Sequence, residues 1–158
     1  MPAGFIETAV IIVDHGSRRT ESNAMLHLAA ERFALDSVYS IVEPAHMELA
    51  EPSIAAAFDR CVKRGARRVV VFPYFLSPGR HWTEDIPRLV SEAAQRYPAV
   101  EWLVTAPFGL HPTMNSVIND RIGQCLRKAT AAGDSPGGCD VCEGTSGCQL
   151  HRGERSMQ

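Results

Sequence analysis

Six histidines and five cysteines are the side chains of this chain best able to hold a metal, and their spacing sorts them. His15 ends the run Ala9-Val10-Ile11-Ile12-Val13-Asp14. His81 lies a few residues beyond Arg68-Val69-Val70-Val71-Phe72-Pro73-Tyr74-Phe75-Leu76. Both runs are rich in β-branched or aromatic residues and bounded by turn residues, so each reads as a buried strand. Each histidine then stands on a loop at the carboxyl end of a strand, where open α/β sheets hold their ligands. Neutral imidazoles in that position suit a divalent first-row metal. Glu48, in Met47-Glu48-Leu49-Ala50-Glu51-Pro52, comes off the carboxyl end of the second strand and would supply a carboxylate to that rim. The plainer alternative is a loop imidazole bonded to backbone for each histidine, and a capping or solvated acid for Glu48.

Arg18, Arg19 and Arg80 flank the two histidines. As guanidinium forks they would grip the carboxylates of a polyanionic substrate; otherwise they form a solvated rim. The loop Gly16-Ser17-Arg18-Arg19 opens a helix and so also suits a phosphate. It lacks a full glycine fingerprint, and it supplies a rival reading as a phosphate- or nucleotide-binding module. His46 and His111 read as structural, and His27 and His151 carry no assigned role.

The cysteines divide differently. Cys139-x2-Cys142-x5-Cys148, with Cys125 upstream at the end of a helical pattern, supplies four thiolates that suit an iron–sulfur cluster or a structural zinc. Cys61 belongs to a helix core. An odd count with three thiols crowded together fits a reducing compartment and metal ligation rather than a disulfide framework.

The elements that must position these groups alternate strictly. Strands are expected at 8–14, 38–46, 68–75 and 100–106. Helices are expected at 21–35, from Glu51-Pro52-Ser53 to about Arg64, at 84–97 behind a Thr83 cap, and at 112–128. In the first helix Met25, Leu28, Ala29, Phe33 and Leu35 are expected inward, with Thr20 or Ser22 as cap. This βα alternation predicts a doubly wound, flavodoxin-like α/β fold: a four-stranded parallel sheet, order 2-1-3-4, flanked by helices. Residues 1–130 form that domain. Beyond Gly133-Asp134-Ser135-Pro136-Gly137-Gly138 an irregular Cys-rich tail, 131–158, follows. A net charge of −2 over 158 residues speaks against nucleic-acid binding, and no apolar run reaches the length of a membrane span. The expected location is the cytoplasm, or the chloroplast stroma if a transit peptide belongs to the native precursor.

Three segments together carry a family resemblance: Val13-Asp14-His15-Gly16-Ser17-Arg18-Arg19, Ala45-His46-Met47-Glu48-Leu49-Ala50-Glu51-Pro52-Ser53-Ile54 and Gly79-Arg80-His81-Trp82-x2-Asp85-Ile86-Pro87. They resemble the small class II tetrapyrrole chelatases, the sirohydrochlorin chelatases that make sirohaem or feed cobalamin synthesis. The likeness covers about residues 8–128. The Cys tail, with Asn119-Asp120-Arg121-Ile122 leading to Cys125, is similar to plant-type sirohydrochlorin ferrochelatases, which carry a 2Fe–2S centre on such an extension. The resemblance implies ATP-independent insertion of Fe2+ into sirohydrochlorin by a homodimer, with His15 and His81 as the metal pair that also takes up protons and Glu48 as an additional base or ligand. It also implies Trp82, Phe75 and Leu76 packed on the macrocycle, the alternative for Trp82 being ordinary core. Co2+ insertion for cobalamin synthesis is the alternative activity, and a non-enzymatic metal or tetrapyrrole carrier is another.

Overall fold

The computed structural model describes residues 7–130 and 139–142. Strand β1 (Thr8–Asp14) is buried from end to end except at Asp14, because it has a neighbour on each side. It pairs in parallel with β2 (Ile41–His46) and with β3 (Arg68–Pro73), and β3 pairs with β4 (Glu101–Val104). The sheet order is β2-β1-β3-β4, the common flavodoxin-like order. Both faces of β1 are covered, which is why its sequence is a continuous apolar run rather than an alternating one. The register puts Asp14 opposite His46, and Val13 opposite both Ala45 and Pro73. The three strands therefore end level, and their loops leave the sheet side by side.

One face of the sheet buries Ile11, Val13, Ala45, Val69 and Val71 against Ala57, Phe58 and Cys61 of α2 (Ile54–Lys63) and Ile86 and Val90 of α3 (Ile86–Ala94). The hydroxyl of Ser53 accepts the Ala56 N–H and caps α2. The opposite face buries Val10 and Ile12 against Leu26 and Ala30 of α1 (Thr20–Asp36). This corrects the expected inward face of α1, since Met25, Leu28 and Phe33 are exposed and Leu35 is 85% exposed. Apolar residues surround that helix, so periodicity gave no direction; a leucine and an alanine four residues apart let it lie close on the sheet. Neither Thr20 nor Ser22 caps it. The approach is closed by Ser17, which accepts the Arg19 N–H on its hydroxyl and bonds the Asn23 amide through both backbone groups.

The third helix also begins differently. Winding starts at Arg80 and passes through a π-helical turn, His81–Asp85, into α3; the Thr83 N–H donates to the Gly79 carbonyl and the Ile86 N–H to the His81 carbonyl five residues back. His81 thus belongs to a helical turn rather than a loop. Thr83 does not cap; its hydroxyl donates to the Gly79 and Arg80 carbonyls at 3.3 and 3.4 Å. Strand β2 starts at Ile41, β3 stops at Pro73 and β4 at Val104, each shorter than the apolar pattern suggested.

The chain divides into two compact units, one ending at Gly109 and one beginning at Leu110. The second contains α4 (Thr113–Thr130), whose start is capped by His111 Nδ1 accepting the Thr113 N–H at 3.3 Å. Arg121 of α4 pairs with Asp140 through both guanidinium nitrogens. Among the described residues no helix is long and apolar enough to cross a membrane.

Candidate functional site

The structure sets His15 beside His81 on one side and beside Glu48 on the other. The imidazoles of His15 and His81 meet edge to face, with ring centres 4.8 Å apart. Glu48 Oε1 lies 3.5 Å from His15 Nε2, and the two side chains are 54% and 44% exposed. The loops that carry His15 and Glu48 extend the strand ladder: Met47 N–H donates to the Asp14 carbonyl at 2.8 Å and Glu48 N–H to the His15 carbonyl at 3.1 Å. Gly16 sits between them at φ +85°, where a Cβ would fall 1.8 Å from the Glu48 carbonyl oxygen. Only glycine fits both that dihedral and that approach.

His81 Nδ1 lies 2.8 Å from Asp85 Oδ2, one turn on. A carboxylate on one ring nitrogen fixes the tautomer and leaves Nε2 to face a metal. Sequence reading gave Asp85 no role, although its four-residue spacing from His81 was a usable signal. Phe75 lies beside the His81 ring, 6.4 Å between centres. Leu49 follows Glu48 with φ +66° and a side chain 57% exposed, a left-handed backbone for a residue that rarely adopts it.

The other proposed contacts sort unevenly. Arg18 and Arg19 are exposed, and among the described residues no carboxylate pairs with either. Arg80 instead donates to Glu84 at 3.0 Å, so it is partly committed to its own turn. Trp82 is half-buried, and its indole N–H donates to the Thr105 carbonyl at 2.7 Å, which anchors the π turn to the end of β4. Glu51 accepts the Ser53 N–H, a local turn contact.

The cysteines fall as expected in part. Cys61 is buried in the core, where desolvation pushes its thiol up to about 12. Cys139 and Cys142 share one turn, with the Cys142 N–H donating to the Cys139 carbonyl at 3.1 Å. The Val141 and Cys142 N–H groups hold the Cys139 thiol below its ordinary value. Cys125 is exposed on α4, and Cys148 lies outside the described residues. Among the described residues no three His, Cys, Asp or Glu side chains converge as a metal-holding group, at the sheet edge or in the turn. The Cys139–Cys142 turn fits thiolate ligation of a cluster or zinc; the described residues do not assemble a complete ligand set.

A level-ended parallel sheet with an open histidine pair at its carboxyl edge defines a chelatase-type α/β protein. The chain belongs to the CbiX family of class II chelatases, which matches residues 9–125. Over 142 residues it is 53% identical to the chloroplastic sirohydrochlorin ferrochelatase of Arabidopsis thaliana, covering 90% of this chain and 62% of that protein. It is 42% identical over 82 residues to the sirohydrochlorin cobaltochelatase of Methanocaldococcus jannaschii, covering 52% of this chain and 57% of that one. A solved structure, the sirohydrochlorin chelatase SirB from Bacillus subtilis subspecies spizizenii in complex with cobalt, superposes with a TM-score of 0.70 at 28% identity. That match covers 75% of this chain and 51% of the other. The chain thus spans between about half and three fifths of the length of these relatives.

Proposed function

We propose that this protein inserts Fe2+ into sirohydrochlorin to give sirohaem without ATP, holding the ion on His15 and His81. The observation that carries this reading is the imidazole pair, 4.8 Å apart on an open sheet edge with Glu48 beside it. Insertion exchanges two pyrrole protons for the metal, so the site must release an ion and collect protons. Two imidazoles with no closed ligand cage can deliver a metal rather than keep it, and the exposed Glu48 carboxylate is a base beside the point of transfer. Arg18 and Arg19 are available to the carboxylates of the macrocycle, and Arg80 joins them if its bond to Glu84 opens. Trp82 contributes by setting the π turn, with its ring edge left to the substrate.

Anaerobic incubation of the protein with sirohydrochlorin and Fe2+, followed by absorbance, tests the reading. Catalysed conversion to sirohaem is expected; binding without turnover would make the protein a carrier, and no binding would return it to the phosphate-binding class. Co2+ insertion is the second reading, favoured by the cobaltochelatase relative and the cobalt-bound structure. The same assay with Co2+ ranks the two metals.

The Cys139–Cys142 turn supports a 2Fe–2S cluster completed by Cys125 and Cys148, with zinc as the alternative. A homodimer is proposed as well, because α1 exposes Met25, Leu28 and Leu35. Sedimentation equilibrium tests it. The reading fits a reducing compartment, the cytoplasm or the chloroplast stroma.

A further inference from the structure

His46 closes β2 with none of its surface exposed, and neither of its ring nitrogens is idle. Nδ1 lies 2.6 Å from Asp14 Oδ1, and the same oxygen accepts the Gly16 N–H at 2.9 Å. One carboxylate oxygen thus ties the end of β2 to the residue after His15. Nε2 lies 3.3 Å from Nε2 of His27 on α1. The two rings are nearly parallel, 26° apart, with centres 5.5 Å apart, so the nitrogens lie between the rings and face each other head on. That is the geometry of an N–H···N hydrogen bond, whereas two ligands of one ion turn toward a third point. With the Asp14 carboxylate accepting from Nδ1–H, the neutral His46 ring accepts on Nε2 and His27 donates. The backbone continues the tie, since His46 N–H donates to the Pro52 carbonyl at 2.8 Å.

A polar chain in a core is costly to bury, and an apolar side chain would fill the volume at less expense. What this one does is bracket the two loops that carry His15 and Glu48. We propose that Asp14, His46 and His27 form a positioning unit that holds His15 and Glu48 in register for one metal ion. His46 is a positioning residue, acting through Asp14 and Gly16, and neither a ligand nor a catalytic group. The proposal rests on the metal-handling reading of the His15–His81 pair.

The test is anaerobic titration with Co2+ of the full chain with Cys125, Cys139, Cys142 and Cys148 changed to Ser, so that no tail thiolate competes for the ion, read by its visible absorption alongside thermal melting of each variant built on that background. His81→Ala controls for the metal reading itself. His46→Leu fills the core but cuts the tie, and its Co2+ affinity is expected to fall about 10- to 100-fold. His46→Asn, whose amide nitrogen stands near the place of Nδ1, is expected to recover most of that loss. A merely structural histidine would lower the melting temperature and leave the affinity of the folded protein unchanged. Wild-type affinity in folded His46→Leu therefore overturns the proposal. Should that variant not fold, Asp14→Ala removes the shared acceptor and cuts the same tie from the other side, and wild-type affinity there overturns the proposal equally. If His81→Ala binds as wild type does, the metal reading fails and the positioning unit falls with it.

Discussion

At the sheet edge the donors hang from separate segments, His15 after β1, Glu48 after β2 and His81 in the turn before α3. In the second unit Cys139 and Cys142 sit on a single turn whose own N–H groups favour thiolate. The first place is made by tertiary structure and exists only when three strands end level. The second is made locally. A tertiary site is sensitive to the packing far beneath it, and a local one is sensitive only to its own few residues. The contrast also assigns chemistry: an open pair suits an ion in transit, and a thiolate turn suits a resident group.

The sharpest way to break this comparison is at the edge itself. His81→Ala is expected to lower iron insertion by at least about 100-fold with an unchanged circular dichroism spectrum. A fully active His81→Ala enzyme would separate the pair from the reaction. Next comes the packing below the site. Phe58 is fully buried between α2 and the sheet, and Phe58→Ala is expected to cost about 3–5 kcal/mol in urea unfolding. Chelation should weaken with it, because the loops share that support; unchanged activity in a markedly destabilised variant would show that the edge is rigid on its own. Asp85→Asn removes the charge behind His81 and should raise the KM for metal about 10-fold, with a smaller change in kcat. The reverse pattern would make Asp85 a participant in proton transfer.

The smallest effects belong to the cysteine turn. A lowered thiol keeps its thiolate to lower pH, whereas one pushed to about 12 stays protonated through neutrality. Iodoacetamide at pH 7 should therefore label Cys139 well before Cys61 in metal-free protein, as read by peptide mass spectrometry. Changing Cys139, Cys142 and Cys148 to Ser is expected to leave chelation within about twofold of wild type, since no thiol lies in the catalytic route proposed. A large loss in the folded variant would join the two regions functionally.

Much of this was legible in the chain. The apolar run 8–14 is β1 to the residue, and strict alternation predicted a parallel sheet flanked by helices. His15 and His81 stood out because each follows a run that had to be a central strand. The buried tie of Asp14, His46 and His27 was not legible, since it joins residues far apart in the chain and depends on register. The inward face of α1 was hidden by apolar residues on all its sides. The early start of the third helix was hidden too, because Thr83 followed by two acids looks like a helix cap.

The five-residue turn from His81 to Asp85 behaves as an α-helix with one residue too many. Loss of any one residue there would let the winding tighten while α3 kept its place in the core. The start of the turn would then rotate by about 100° around the axis relative to α3, carrying the His81 side chain off its mark. A single-codon deletion in this turn would thus yield a stable, soluble-looking protein whose two imidazoles no longer meet.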